Sequence, residues 1–244
     1  MTTQHTIGEI AAEIPSSVRV FEKYGIDYCC GGQRPLEEVC REHGLSAEAL
    51  LGELRAAVPG NGAAQDWSRA SLRDLMDHIV SRRHVYLRTE LPVIAERLVK
   101  VLEAHGPRHG SSLAPLARTF TGLREELETH MRKEEVVLFP AIAGVEAAQT
   151  EGRKPASLPF GTLNNPIRMM MHEHDSAGQA LDQMRSLTGG YTLPEDACAT
   201  YRALFEGLQA LEADLHQHIH LENNILFPRA VRLEAEALAH HRAG

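Results

Sequence analysis

His130-Met131-Arg132-Lys133-Glu134-Glu135-Val136-Val137-Leu138-Phe139-Pro140 and His218-Ile219-His220-Leu221-Glu222-Asn223-Asn224-Ile225-Leu226-Phe227-Pro228 are two copies of one pattern, His-x-x-x-Glu-x-x-x-Leu-Phe-Pro. Residues at i and i+4 lie on one face of a helix, one turn apart. Each copy therefore presents an imidazole and a carboxylate together. A further histidine precedes each copy at nearly the same distance: 46 residues separate His84 from His130, and 44 separate His174 from His218. The doubled arrangement predicts two helical hairpins packed as a four-helix bundle around a two-metal centre. A single His-x-x-x-Glu arises easily by chance; its repetition with a shared Leu-Phe-Pro tail does not.

Four long amphipathic patterns carry these residues. The first starts after Ser71 with a stripe through Leu72, Met76, Val80, His84, Leu87, Leu91, Ile94 and Leu98, and Pro92 predicts a kink in it. His105-Gly106-Pro107-Arg108-His109-Gly110 reads as the turn into the second, whose stripe is Leu116, Phe120, Leu123, Leu127, His130, Glu134 and Leu138. A Gly-, Pro- and Ser-rich loop over about 148–163 leads to the third, with Ile167, Met171, His174, Gly178 and Leu181. The fourth starts near Pro194 and carries Leu204, Leu208, Leu211, Leu215, His218, Glu222 and Leu226. Each candidate ligand thus sits on an inward, apolar face. His78, His172, His216 and His220 fall on polar faces and read as solvated surface histidines. Met131, Met169, Met170, Met171 and Met184 read as core filling.

A buried carboxylate needs a positive partner, because desolvating a charge costs several kcal/mol. No Lys or Arg shares the stripes of Glu134 and Glu222. Two divalent ions would supply the charge. Imidazole nitrogen with carboxylate oxygen suits iron, manganese or zinc better than copper(I) or calcium. Four histidines and two glutamates divide as two His per metal, with each Glu bridging. Low-coordinate iron with open positions would bind diatomics such as O₂ or NO. The bland alternative is a set of core histidines hydrogen-bonded to glutamates.

Residues 1–57 read as a small helical unit around the loop Tyr28-Cys29-Cys30-Gly31-Gly32, with Pro35 and Ser46 opening its later helices. Its core is small for an independent fold, so self-association as a homodimer through it is expected. Residues 58–67 read as a linker and 68–244 as the bundle. Adjacent cysteines form only a strained disulfide ring, so Cys29 and Cys30 are candidates for redox or iron transfer in an accessible loop. Cys40 and Cys198 read as buried bystanders in helices. Net charge is −8, which suggests no nucleic-acid partner. There is no apolar run near 18 residues and no charged-then-apolar N-terminus, and the four cysteines form no disulfide framework. A soluble protein of the reducing cytosol is expected, without a membrane partner.

From about Ser68 onward the sequence resembles the hemerythrin-like di-iron four-helix bundles. Tyr24-Gly25-Ile26-Asp27-Tyr28-Cys29-Cys30-Gly31-Gly32 resembles the signature of the domain that precedes such a bundle in the repair-of-iron-centres proteins. Together the two resemblances cover almost the whole chain. They imply an all-α cytoplasmic protein with two iron ions in an oxo- and carboxylate-bridged, non-haem centre. They also imply production under nitrosative or oxidative stress and help in restoring damaged iron–sulfur clusters, so that proteins carrying such clusters are its partners and NO or O₂ its small ligands. The family's ligands carry over onto His84, His130, Glu134, His174, His218 and Glu222. Iron donation and NO chemistry, including NO reduction, are both open as the mode of action. Oxygen-carrying hemerythrins resemble the bundle as well but lack the Cys-Cys-Gly-Gly segment, which leaves an O₂- or NO-binding sensor or carrier as the alternative.

Overall fold

The computed structural model describes residues 1–57 and 66–240, and among them the regular structure is helical throughout, with no β-strand. The linker expected at 58–67 falls almost wholly outside the described residues. The chain divides into two compact units: His78–Ala141 with Asn165–Leu215, and the described parts of Met1–Asp77, Ile142–Asn164 and His216–Gly244.

In the first of these, helical backbone runs unbroken from Val85 to Lys133 (α6), through Pro92, Pro107 and Pro115. A straight helix of 49 residues would hold its ends about 70 Å apart. Yet Nδ1 of His84 lies 2.6 Å from Oε1 of Glu135, so the chain reverses inside α6. Residues 109 and 110 lie midway between those partners, at the end of the expected turn His105–Gly110, whose backbone stays helical. The two arms of α6 join α8 (Asn164–Leu187) and α9 (Ala199–His220) in an antiparallel ring of four helices. Glu126, His130 and Lys133 on the second arm meet Ser176, His174 and Glu173 on α8, in opposite chain directions. Arg97 on the first arm and Arg83 just before it meet Ala203 and Asp214 on α9. Arg185 of α8 and Tyr191 just beyond it converge on Glu212 of α9. Leu87, Leu91, Ile94, Phe120, Leu123, Leu181, Leu204 and Leu208 are buried inside the ring, each stabilising it by about 1.5–3 kcal/mol relative to exposure.

Three segments are wound more widely than an α-helix, as π-helix: Ile79–His84, Glu134–Leu138 and Leu221–Leu226. The amides of Phe139 and Phe227 donate to the carbonyls of Glu134 and Glu222, five residues back. The next residue in each case is proline, which has no N–H and whose ring pushes against the carbonyl four residues earlier. Widening the turn just ahead of it relieves that clash, so the Leu-Phe-Pro tail is a local signal for the π-helix. An inserted residue also rotates the stripe by about 100°. That is why Ile79 is buried at 0% exposure while Val80, expected to point inward, is only half-buried.

In the second unit, α1 (Ile7–Glu13) starts at a capping box, with Thr6 and Glu9 satisfying each other's amides. α2 (Ser17–Lys23), α3 (Leu36–Glu42) and α4 (Ala47–Ala56) follow, the last capped by Ser46. Ile7, Ile10, Phe21, Leu36 and Leu54 form their small core. The carboxylate of Glu146 on α7 (Phe139–Thr150) accepts the first amides of α5 (Leu72–His78) from Leu72 and Arg73. Arg229 on α10 (Phe227–His240) donates to the carbonyls of Trp67 and Ala70. No described helix is long and apolar enough to cross a membrane.

Candidate metal centre

The four-helix unit brings His84, His130, Glu134 and His174 together, all at most 4% exposed. Oε2 of Glu134 lies 3.3 Å from Nε2 of His84, and Oε1 lies 3.3 Å from Nε2 of His130. Nε2 of His130 and Nε2 of His174 face each other at 3.1 Å. The wide turns end at His84 and begin at Glu134, so both side chains are set by non-α backbone. In the other unit, Nε2 of His218 lies 3.0 Å from Oε1 of Glu222, with 2% and 0% of these residues exposed. Glu222 again lies in a wide turn.

The far ring nitrogens fix the tautomers. Nδ1 of His84 donates to Glu135 at 2.6 Å, and Nδ1 of His130 donates to Glu173 at 2.8 Å. Arg88 steadies Glu135, and Lys133 steadies Glu173. Burial pushes the Glu173 carboxyl up, but the bonds from His130 and Lys133 outweigh it and hold it at about 2; Glu135 is lowered the same way by His84 and Arg88. With a proton on Nδ1, each Nε2 presents a lone pair inward, toward a carboxylate or another imidazole. Two donors on one ion, each about 2.1 Å from it at 90–110°, stand roughly 3.0–3.4 Å apart. The four separations measured here fall in that interval. The donor set and the histidine–carboxylate supports therefore fit a bound divalent metal. Glu135 and Glu173 support candidate ligands and are residues that the stripes did not select. The signal for them was an acidic neighbour beside a candidate ligand in sequence, at Glu134-Glu135 and Glu173-His174.

The cysteine loop turns on Asp27. Its carboxylate accepts the amides of Cys29, Cys30 and Gly31 and faces the Cys29 thiol at 3.2 Å. Both cysteines are thiols, with their sulfurs 3.8 Å apart. Cys29 is buried at 4% exposure rather than accessible. The contact with Cys30 and burial together push its thiol well up. The loop rests on the wide turn that holds Glu222: Asn223 donates to the Cys29 carbonyl and Asn224 to the Tyr28 carbonyl.

That contact corrects the reading of two histidines. His220 is 5% exposed, beneath the Tyr28 ring and bonded to Asn224, and burial lowers it to about 4. His216 packs edge-on against the same ring and is half-buried. Both lie under the cysteine loop, which no periodicity within their own helix foretells. His172 is exposed as expected, His78 is half-buried, and Met169 faces solvent rather than core.

Comparison with known proteins gives two family matches. Residues 75–230 match the hemerythrin HHE cation binding domain, and residues 3–58 match ScdA_N, described as a domain of unknown function (DUF542). Among curated proteins, the chain is 38% identical over 229 residues to an iron-sulfur cluster repair protein YtfE of Dickeya chrysanthemi, covering 94% of this chain and 97% of that protein. The Edwardsiella ictaluri protein of the same name is 39% identical, covering 92% and 96%, and the Pectobacterium atrosepticum one is 37% identical, covering 94% and 97%. With near-full-length relatives and both domain models in place, the chain belongs to the iron-sulfur cluster repair family, with a hemerythrin cation-binding domain.

Proposed function

We propose that this protein helps repair iron–sulfur clusters damaged by nitrosative or oxidative stress, acting in the cytoplasm through a di-iron centre held by His84, His130, Glu134, His174, His218 and Glu222. The observation that carries this is Glu134, whose two carboxylate oxygens each face a different histidine at 3.3 Å. A carboxylate so placed would be available to two ions at once. In this reading His84, His130, His174 and His218 would hold the two irons together with Glu134 and Glu222, the last by the repeated sequence pattern. Iron bound there would supply redox capacity and open positions for NO or O₂.

The chain's own residues set the conditions. Glu135 and Glu173 keep the protons of His84 and His130 on Nδ1, so that Nε2 stays available. Leu87, Leu127 and Leu138 exclude water nearby. Cys29 and Cys30 are the groups through which iron or electrons would pass towards a damaged cluster protein, from residues 1–57 as a functional module. Iron analysis tests the reading: protein from iron-supplied cells should hold two iron atoms per chain and, when oxidised, show a near-ultraviolet oxo-bridge band. It should also reactivate an NO-damaged iron–sulfur enzyme. Two irons without reactivation would favour the sensor or carrier reading; one metal or none would overturn the di-iron assignment.

A further inference from the structure

A second cluster of metal-competent side chains lies in the four-helix unit far from the first. His105 and His109 stand one helical turn apart, as in His-x-x-x-Glu, and Asp196 approaches them from the segment before α9. One donor atom from each of the three lies within 4.8 Å of the others. Oδ1 of Asp196 is 2.8 Å from Nε2 of His109, and Oδ2 is held by Arg108 at 3.1 Å. Sγ of Cys198 is 3.3 Å from Nε2 of His105 but lies outside the group formed by the other three, so its exposed side chain would complete a site by rotating inward. His105 follows His84 by 21 residues on one arm of α6, which places it about 30 Å along the helix. This cluster is therefore separate from the candidate metal centre.

We infer that His105, His109, Asp196 and Cys198 form a mononuclear site for a divalent transition metal of the zinc type. Two imidazoles, a carboxylate and a thiolate make an N₂OS set, suited to a borderline-soft ion in tetrahedral geometry. A histidine nitrogen and a thiolate on one such ion stand roughly 3.3–3.7 Å apart, which matches His105 and Cys198. Binding would release the proton of the Cys198 thiol to solvent, while the N–H of His109 would sit on Nδ1 and leave Nε2 for the ion. Cys198 is suited to this: it is exposed, directly precedes α9, and contact with His105 and with the amides of Tyr201 and Thr200 pulls it below the usual thiol range. Arg108 orients the carboxylate from behind, as supporting residues do at metal sites. His109 also lines a half-open cavity of about 130 Å³ with Leu113, Leu116, Thr188, Tyr201 and Phe205. The site is thus reachable from solvent. Cys198 is exposed, not buried as its helical pattern suggests.

The probe is Co²⁺, added anaerobically to the reduced, iron-loaded full-length protein. The expected result is one Co²⁺ per chain beyond the iron, with a near-ultraviolet thiolate-to-cobalt band that Zn²⁺ abolishes by competition. That band should disappear in Cys198→Ser and persist in the double variant Cys29→Ser, Cys30→Ser, which removes the other thiol pair. His109→Ala should weaken Co²⁺ binding at least tenfold while iron content and far-ultraviolet circular dichroism stay unchanged. No band in the parent protein, or a band retained in Cys198→Ser, would overturn the site and leave the cluster as a polar tie between the α6 turn and the segment before α9. Unchanged Co²⁺ affinity in His109→Ala would overturn it as well.

Discussion

The side-chain amide of Asn224 donates to the carbonyl oxygen of Tyr28 at 2.9 Å, tying the cysteine loop to the residue two places after Glu222. Two glycines make room for it. A Cβ on Gly32 would stand 2.6 Å from Oδ1 of Asn224 and 2.9 Å from the Tyr28 carbonyl, and one on Gly8 would collide with the same amide. Gly32→Ala and Gly8→Ala should each destabilise the protein by about 1–3 kcal/mol. Gly52→Ala, in mid-helix with nothing near, should stabilise it by about 0.5–1 kcal/mol. Urea unfolding measures all three, and equal effects at Gly32 and Gly52 would contradict the docking described here.

Glu135 and Glu173 hold ring nitrogens rather than the inward ones. Glu135→Ala and Glu173→Ala should leave iron in the protein as purified but weaken its hold about 10–100-fold. Competition with a chelator reads this directly. Affinity equal to the parent's in both variants would show that these carboxylates are incidental neighbours.

His130 and His172 differ in burial and in partners: one is 4% exposed against Glu134, the other is on the surface. His130→Ala should lose at least one iron atom per chain, and His172→Ala none. Metal analysis of the two purified variants decides it, and similar iron contents would defeat the ligand assignment.

The cysteine loop meets the wide turn through the main-chain carbonyls of Cys29 and Tyr28, which accept from the side chains of Asn223 and Asn224. The double variant Cys29→Ser, Cys30→Ser should therefore keep its iron and its melting temperature within a few degrees. It should lose reactivation of an NO-damaged iron–sulfur enzyme in cells. Full reactivation would reduce the two thiols to small loop residues.

Much of the fold was legible because the candidate ligands share stripes with leucines. Leu204, Leu208, Leu211, Leu215, His218, Glu222 and Leu226 are all buried, as their spacing predicts. The reading failed where a period of 3.6 no longer held. Ile79 took the place expected of Val80 because a π-helix intervenes. In the regular α8, Met170 rather than Met171 is buried, since both positions fit the stripe and only one faces the core. It also failed where a partner comes from far along the chain. Nothing near His220 in sequence announces Tyr28, nearly 200 residues earlier, and nothing near Cys198 announces His105. Periodicity reports which face is covered only when the cover comes from the helix's own bundle.

The wide turns bear on which changes of length the chain can tolerate. In Leu221–Leu226 one residue more than an α-turn requires is accommodated, and it stands between Glu222 and Pro228. Deleting one residue there would return the segment to an ordinary α-turn, with everything after it facing nearly as before, whereas deleting one from the α-helix on either side would turn everything beyond by about 100°. The contacts of Arg229 with Trp67 and Ala70, and of Glu234 with Leu163, would then survive the first change. Between each glutamate and the proline six residues on, the chain can absorb a one-residue deletion that its regular helices cannot.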